Sequence, residues 1–129
     1  MKEKPAIVVE FDGVICENKF PDVGEPIGGV REALNTLKRA GYRIIIHSRR
    51  TSSYLKNKLI CNQYQWIADY MEYYKLYYDD IWLLDKPIAV AYIDDKALNF
   101  YNNWEEITEQ IIRNAARSWS GSALTKSAL

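Results

Sequence analysis

Apolar positions fall along this chain in two rhythms. Short uninterrupted runs rich in β-branched residues alternate with longer stretches in which apolar residues recur every three or four positions. Ala6 to Val9 is the first short run, the signature of a strand covered on both faces. Residues 18–29, NKFPDVGEPIGG, mix acids, prolines and three glycines and are expected to form a loop. Val30, Ala33, Leu34 and Leu37 then fall on one helix face within Val30 to Ala40, with Gly41 as the stop. RIIIHS (43–48) reads as a second buried strand. Thr51, Ser52 and Ser53 offer caps for a helix starting near Tyr54, and the helical pattern runs from Leu55 to about Tyr74, with CNQ (61–63) as a break point.

DIWLL (80–84) is a short apolar run that suits a third strand, and Lys86-Pro87 ends it. IAVAYI (88–93) suits a fourth, closing on Asp94-Asp95. NWEEITEQIIRNAARSW (103–119) is an amphipathic helix with Ile107, Ile111, Ile112 and Ala115 to one side. The final SGSALTKSAL is small and polar and is expected to fray. Residues 1–118 are therefore assigned to one domain and 119–129 to a flexible tail. Neither an internal repeat nor a linker interrupts the pattern.

Apolar strands alternating with helices specify an α/β fold, a parallel β-sheet flanked by helices on both faces. Right-handed crossovers bring the carboxyl ends of all its strands to one edge, where such folds bind ligands. Four strand ends deliver Glu10 and Asp12, Ser48 and Arg49, Lys86, and Asp94 and Asp95 to that edge. Carboxylates from two strands suit a hard cation such as Mg²⁺, while Ser48, Arg49 and Lys86 suit the oxygens of a phosphate.

Composition narrows the picture. The 129 residues fit one domain with a proper core, and 48% hydrophobic with 26% charged residues is ordinary globular composition. Seventeen basic and 17 acidic residues give a formal net charge of +0, which speaks against a dedicated nucleic-acid binder but not against a small phosphorylated ligand. Cys16 and Cys61 form no framework of spacings and are expected to be reduced. The N-terminal apolar run of about five residues is too short for a secretion signal or a membrane span, so a cytoplasmic location without membrane attachment is expected. His47 sits inside a strand pattern and is read as structural, and Cys16 lacks an activating partner. Tyr64, Tyr70, Tyr73, Tyr74, Tyr77 and Tyr78, with Trp66 and Trp82, concentrate in 64–82. That composition suits either helix packing or a homo-oligomer interface, with base stacking a weaker third.

Four segments in order give the chain a family resemblance along nearly its whole length. IVVEFDGV, IIIHS, the lysine of DKP and VAYIDD resemble the four motifs of the haloacid dehalogenase (HAD) superfamily. The resemblance implies a Rossmann-like domain, here without room for a large cap. It also implies Mg²⁺ as cofactor and a phosphorylated substrate hydrolysed through an acyl-phosphate. Carried over by position, Glu10 takes the place of the nucleophile and a metal ligand. Asp12 takes that of the general acid and base, its backbone carbonyl also reaching the metal. Gly13 and Arg49 fall beside the substrate phosphate. Ser48 would hold a phosphate oxygen, Lys86 would balance charge, and Asp94 and Asp95 would complete the metal site.

The departure is Glu10, where the family pattern has aspartate. Its charge is the same, but one extra methylene carries the carboxylate about 1.5 Å further. A misplacement near 1 Å in a phosphoryl transfer can cost about a hundredfold. The expected function is a Mg²⁺-dependent phosphatase, possible impairment resting on Glu10. The alternatives are an inactive HAD-like domain that binds metal, phosphate or a protein partner, and a phosphatase that processes nucleic-acid ends, which the charge balance disfavours.

Overall fold

The computed structural model describes residues 3–55, 58–59 and 62–114. Two strands of nearly pure β-branched sequence make its centre: β1 (Ala6–Val9) and β4 (Arg43–Ile46) pair in parallel from Ala6 opposite Arg43 to Val9 opposite Ile46. Between them come β2 (Cys16–Lys19), β3 (Asp22–Pro26) and α1 (Val30–Arg39). Beyond them come α2 (Gln63–Tyr73), β5 (Asp80–Ile81), β6 (Ala91–Ile93) and α3 (Trp104–Arg113). The main sheet has four parallel strands in the order β5-β4-β1-β6, and β2 and β3 form a separate antiparallel hairpin. The chain is thus α/β, a Rossmann-like parallel sheet flanked by helices. Among the described residues there is no large cap.

Alternation along the strands sorts the core into two sides. Ile7, Val9, Ile44 and Ile46 face one side, where Leu34 of α1 and Ile67, Tyr70 and Met71 of α2 pack on them. Ala6, Val8 and Ile45 face the other, against Trp82 and Ala89. Central strands buried on both sides explain why their sequences show no alternation. β6 differs: Ala91, Tyr92 and Ile93 are all exposed, because this strand lies at the sheet's edge and pairs only with β1.

Helix α1 starts and stops as its pattern predicts. Glu32 lies in its first turn and Lys38 and Arg39 in its last, matching the helix dipole, and Gly41 turns the chain out at φ 97°. Several segments depart from expectation. Residues 18–29 are not simply a loop, since β2 and β3 pair there across Phe20-Pro21. Thr51, Ser52 and Ser53 do not cap a long helix. Ser48 instead caps a 3-10 turn at Arg49–Thr51, a second follows at Ser53–Leu55, and α2 begins only at Gln63, where the Asn62 side chain accepts from Gln65 N. β5 is two residues long, not five; β6 is three, not six; and β4 stops at Ile46, short of His47 and Ser48.

Contacts divide the chain after Asp95, and α3 belongs to the second unit. Within α3, Ile107 is buried while Ile111 and Ile112 are exposed, so the expected apolar side narrows to one described residue. Ala115, Cys61 and the tail 119–129 lie outside the described residues. Among those described, no helix is long and apolar enough to cross a membrane.

The tyrosine-rich stretch mostly packs within the chain. Tyr70 is buried, stands edge-on to Phe11 and donates its hydroxyl to Gly24 O at 2.8 Å. Tyr74 donates to Glu25, Tyr77 donates to Asp79, and Tyr78 is partly buried against the core. Tyr64 and Tyr73 remain exposed.

Candidate functional site

Strand order reverses at β1: β4 and β5 lie to one side of it, β6 to the other. The crevice beyond the carboxyl ends of β1 and β6 is therefore the place where an open parallel sheet of this kind offers a ligand site. Glu10 N donates to Ile93 O at 3.0 Å, which sets Glu10, the first residue after β1, beside Asp94, the first after β6.

Glu10 is half-buried, and its carboxyl is pushed up from 4.5 to about 7. Burial is the largest cause; the neighbouring acids Asp94 and Asp12 add to it, and Arg49 and a backbone bond from Phe11 oppose it. Acidic crowding at a strand end is thus a physical property of this site. The cation acting on Glu10 is Arg49. Its guanidinium also lies 3.9 Å from the centroid of the Phe20 ring, on the hairpin.

Gly13 and Asp95 meet closely. A Cβ on Gly13 would stand 2.2 Å from Asp95 Oδ2, and its φ of +89° is one that a side chain would strain. Only glycine lets the β1 loop pass beneath the Asp95 carboxylate. Ser48, 4% exposed, lies at the end of β4 with its Oγ accepting from Arg50 N at 3.1 Å. Glu10, Ser48 and Arg49 line one end of a cavity of about 1170 Å³, which continues over Ala6 and Ile45 to the segment 82–90.

Two expected residues are placed differently. Lys86 lines the same cavity but is exposed, with Nζ 4.7 Å from the centroid of the Tyr92 ring. Asp12 turns inward: it is 2% exposed, and both its oxygens accept from the buried Arg50. Arg50 is the residue that sequence reasoning missed, since beside Arg49 it carries no mark of its own in the sequence. Its partners come from three distant segments, and nothing local in the sequence signals them. Cys16 is fully buried beside Asp12, and burial pushes its thiol up to about 11, so it stays protonated and inert.

Among the described residues, no group of three or more His, Cys, Asp or Glu side chains is arranged to hold a metal ion. Mg²⁺ asks for less than that: one or two carboxylates, with waters completing its octahedron. Glu10 and Asp94 supply two, and Asp94 is among the causes, after burial, that raise the Glu10 carboxyl, a charge conflict that a divalent cation would relieve. The donor set fits the ion.

No family model matches the chain, and no curated protein matches it. A solved structure does: a conserved protein of Bacteroides thetaiotaomicron, 22% identical, with a TM-score of 0.60 over 89% of this chain and 94% of that one. At this identity the likeness shows the fold alone.

Proposed function

We propose that this chain is a Mg²⁺-dependent, cytoplasmic phosphomonoesterase of the HAD type, working from the crevice at the ends of β1 and β6. The observation that carries the proposal is the set Glu10, Ser48, Arg49, Asp94 and Asp95 brought to that edge, with Glu10 raised to about 7 by burial and by its acidic neighbours. Acids held together against their own repulsion make sense as a cation site. The hydroxyl and guanidinium beside them make sense as a grip on phosphate.

Bound Mg²⁺ would supply charge neutralisation for the phosphate and for the acids around it. The chain's own residues would do the rest. A Glu10 oxygen bonds to phosphorus as the ester P–O bond breaks, and the departing alkoxide takes a proton from a water of the crevice, since Asp12 is turned inward onto Arg50. The hydroxide left by that water then bonds to phosphorus as the Glu10 oxygen–phosphorus bond breaks, releasing inorganic phosphate and restoring the Glu10 carboxylate. Ser48 Oγ and Arg49 hold phosphate oxygens during both transfers. Charge balance falls to Arg49 more than to Lys86, since Arg49 is the cation that acts on Glu10.

A second reading, a binding domain without turnover, is favoured by the longer reach of Glu10 and by the distance in role between Lys86 and the acids. Turnover of p-nitrophenyl phosphate with and without Mg²⁺, in the chain and in Glu10→Asp, separates the two. Mg²⁺-dependent release from either protein supports the proposal, with the larger rate expected from Glu10→Asp. Silence from both, with folding verified, overturns it.

A further inference from the structure

The sheet face opposite α1 and α2 is crossed by a bare strap. Parallel strands are ordinarily joined by a crossover of about a dozen or more residues, most often a helix. Here β5 and β6 are joined by residues 82–90, none of them helical. Trp82 N donates to Ile46 O at 2.7 Å, and Val90 N donates to Ala6 O at 2.8 Å. The strap therefore runs from the carboxyl end of β4 to the amino end of β1. A helix on this face would fill it with side chains. The strap packs Trp82 and Ala89 on Ala6, Val8 and Ile45, and the cavity of about 1170 Å³ opens beside it.

That cavity is polar at one end and apolar beyond it. Glu10, Ser48 and Arg49 stand at the carboxyl edge, with Thr51, Ser52 and Ser53 extending the polar end. Past them the floor is Ala6 and Ile45, and the wall is Trp82, Leu83, Leu84 and Val90. Trp82 is half-buried, its ring N–H donating to Asp85 O at 2.6 Å, while Leu83, Leu84 and Val90 are exposed. Charge returns at the amino end of the strands, where Arg43 is paired with Asp80 and Glu3. From Glu10 back to Ala6 the strand covers about 13 Å at the usual rise, far more than a phosphate occupies. Pockets built this way hold an organic group on their apolar surface and orient it by the polar groups at one end. Hydroxyl-rich groups fit poorly, because apolar walls leave buried hydroxyls without partners.

Resting on the function proposed above, we infer that this cavity holds the leaving group, so that the substrates are phosphomonoesters whose alcohol carries a bulky apolar group. The phosphate lies at Glu10, Ser48 and Arg49, and the apolar group lies over Ile45 against the Trp82 ring. The strap is its outer wall. Small polar esters, such as sugar phosphates, reach only the phosphate end and gain nothing from the rest.

The experiment reads binding rather than turnover, so it can fail separately from the proposed function. Phosphonates keep the anionic head but have no ester bond to break. Calorimetry in the presence of Mg²⁺ compares ethylphosphonate with 2-(2-naphthyl)ethylphosphonate. The naphthyl ligand is expected to bind at least about tenfold more tightly, because its ring leaves water for the apolar wall. Trp82→Leu is expected to weaken the naphthyl ligand about fivefold or more while changing ethylphosphonate less than about twofold. Leu84→Asp alters a side chain that is 72% exposed. It is expected to show the same selectivity, and it decides the matter if Trp82→Leu fails to fold. Arg49→Ala is expected to weaken both ligands, which ties the ring and the head to one site. Equal affinity for the two phosphonates, or binding of neither, overturns the inference. So does a naphthyl preference that both wall variants leave intact, since the ring would then lie elsewhere. Those results leave p-nitrophenyl phosphate turnover to judge the function. A wall-dependent naphthyl preference without turnover overturns the function alone and leaves the cavity a ligand site.

Discussion

At the scale of single residues, the crevice is organised by charges that offset or oppose one another. Glu10 is the clearest case. Its carboxyl, raised to about 7 in the folded chain, binds a proton more tightly there than in the unfolded chain. The folded state therefore gains stability from this residue below about pH 4.5 and loses it as pH rises through about 7. The loss is on the order of 3 kcal/mol. Urea denaturation across pH 4.5 to 8 should show the decline, and Glu10→Gln should flatten it by removing the titrating group. A slope unchanged in Glu10→Gln would place the cause elsewhere. Much at this scale was legible in advance: Glu10, Gly13, Ser48, Arg49, Asp94 and Asp95 are where strand ends were expected to deliver them. Arg50 was not, because its importance comes from Asp12, Pro21, Asp22 and Gln63, which only folding brings together. Lys86 lines the same cavity as Glu10, Ser48 and Arg49, exposed and with Nζ over the Tyr92 ring. Its place depends on the path of residues 82–90, which no periodicity fixes.

At the scale of elements, patterns dictated by burial were easy to read and those dictated by pairing were not. β1 and α1 begin and end where the apolar run and the stop at Gly41 put them, and β4 begins at the expected Arg43 but ends at Ile46, two residues early. The β2–β3 hairpin escaped because three of the four residues of β2 are exposed, so no alternation marks it, and prolines and glycines within it resemble a loop. Its stability comes from contacts across the chain. The Tyr70 hydroxyl reaching Gly24 O ties α2 to β3, and Arg50 ties both to the site. Tyr70→Phe leaves a buried carbonyl without its partner, at a cost of about 1–3 kcal/mol in urea denaturation. Hydrogen exchange should quicken in residues 16–26 while β4 keeps its protection. Unchanged exchange in the hairpin would show that Tyr70 does not hold it.

At the scale of the whole molecule, a small parallel sheet places acids at its strand-order switch, and its fold likeness to a protein of Bacteroides thetaiotaomicron covers nearly all of both chains. The topology explains why residues separated by some 80 positions meet: Glu10 follows β1, Asp94 follows β6, and these strands are neighbours. Whether acids so placed serve a cation is the question on which the functional account turns. The direct measurement is a calorimetric titration with Mg²⁺ at pH 8 and pH 5, on the chain and on Asp94→Asn. Binding is expected at pH 8, where Glu10 is ionised, weaker at pH 5, where it holds a proton, and lost or weakened at least tenfold in Asp94→Asn. Absent binding at pH 8, or equal affinity in Asp94→Asn, would contradict a metal site between β1 and β6.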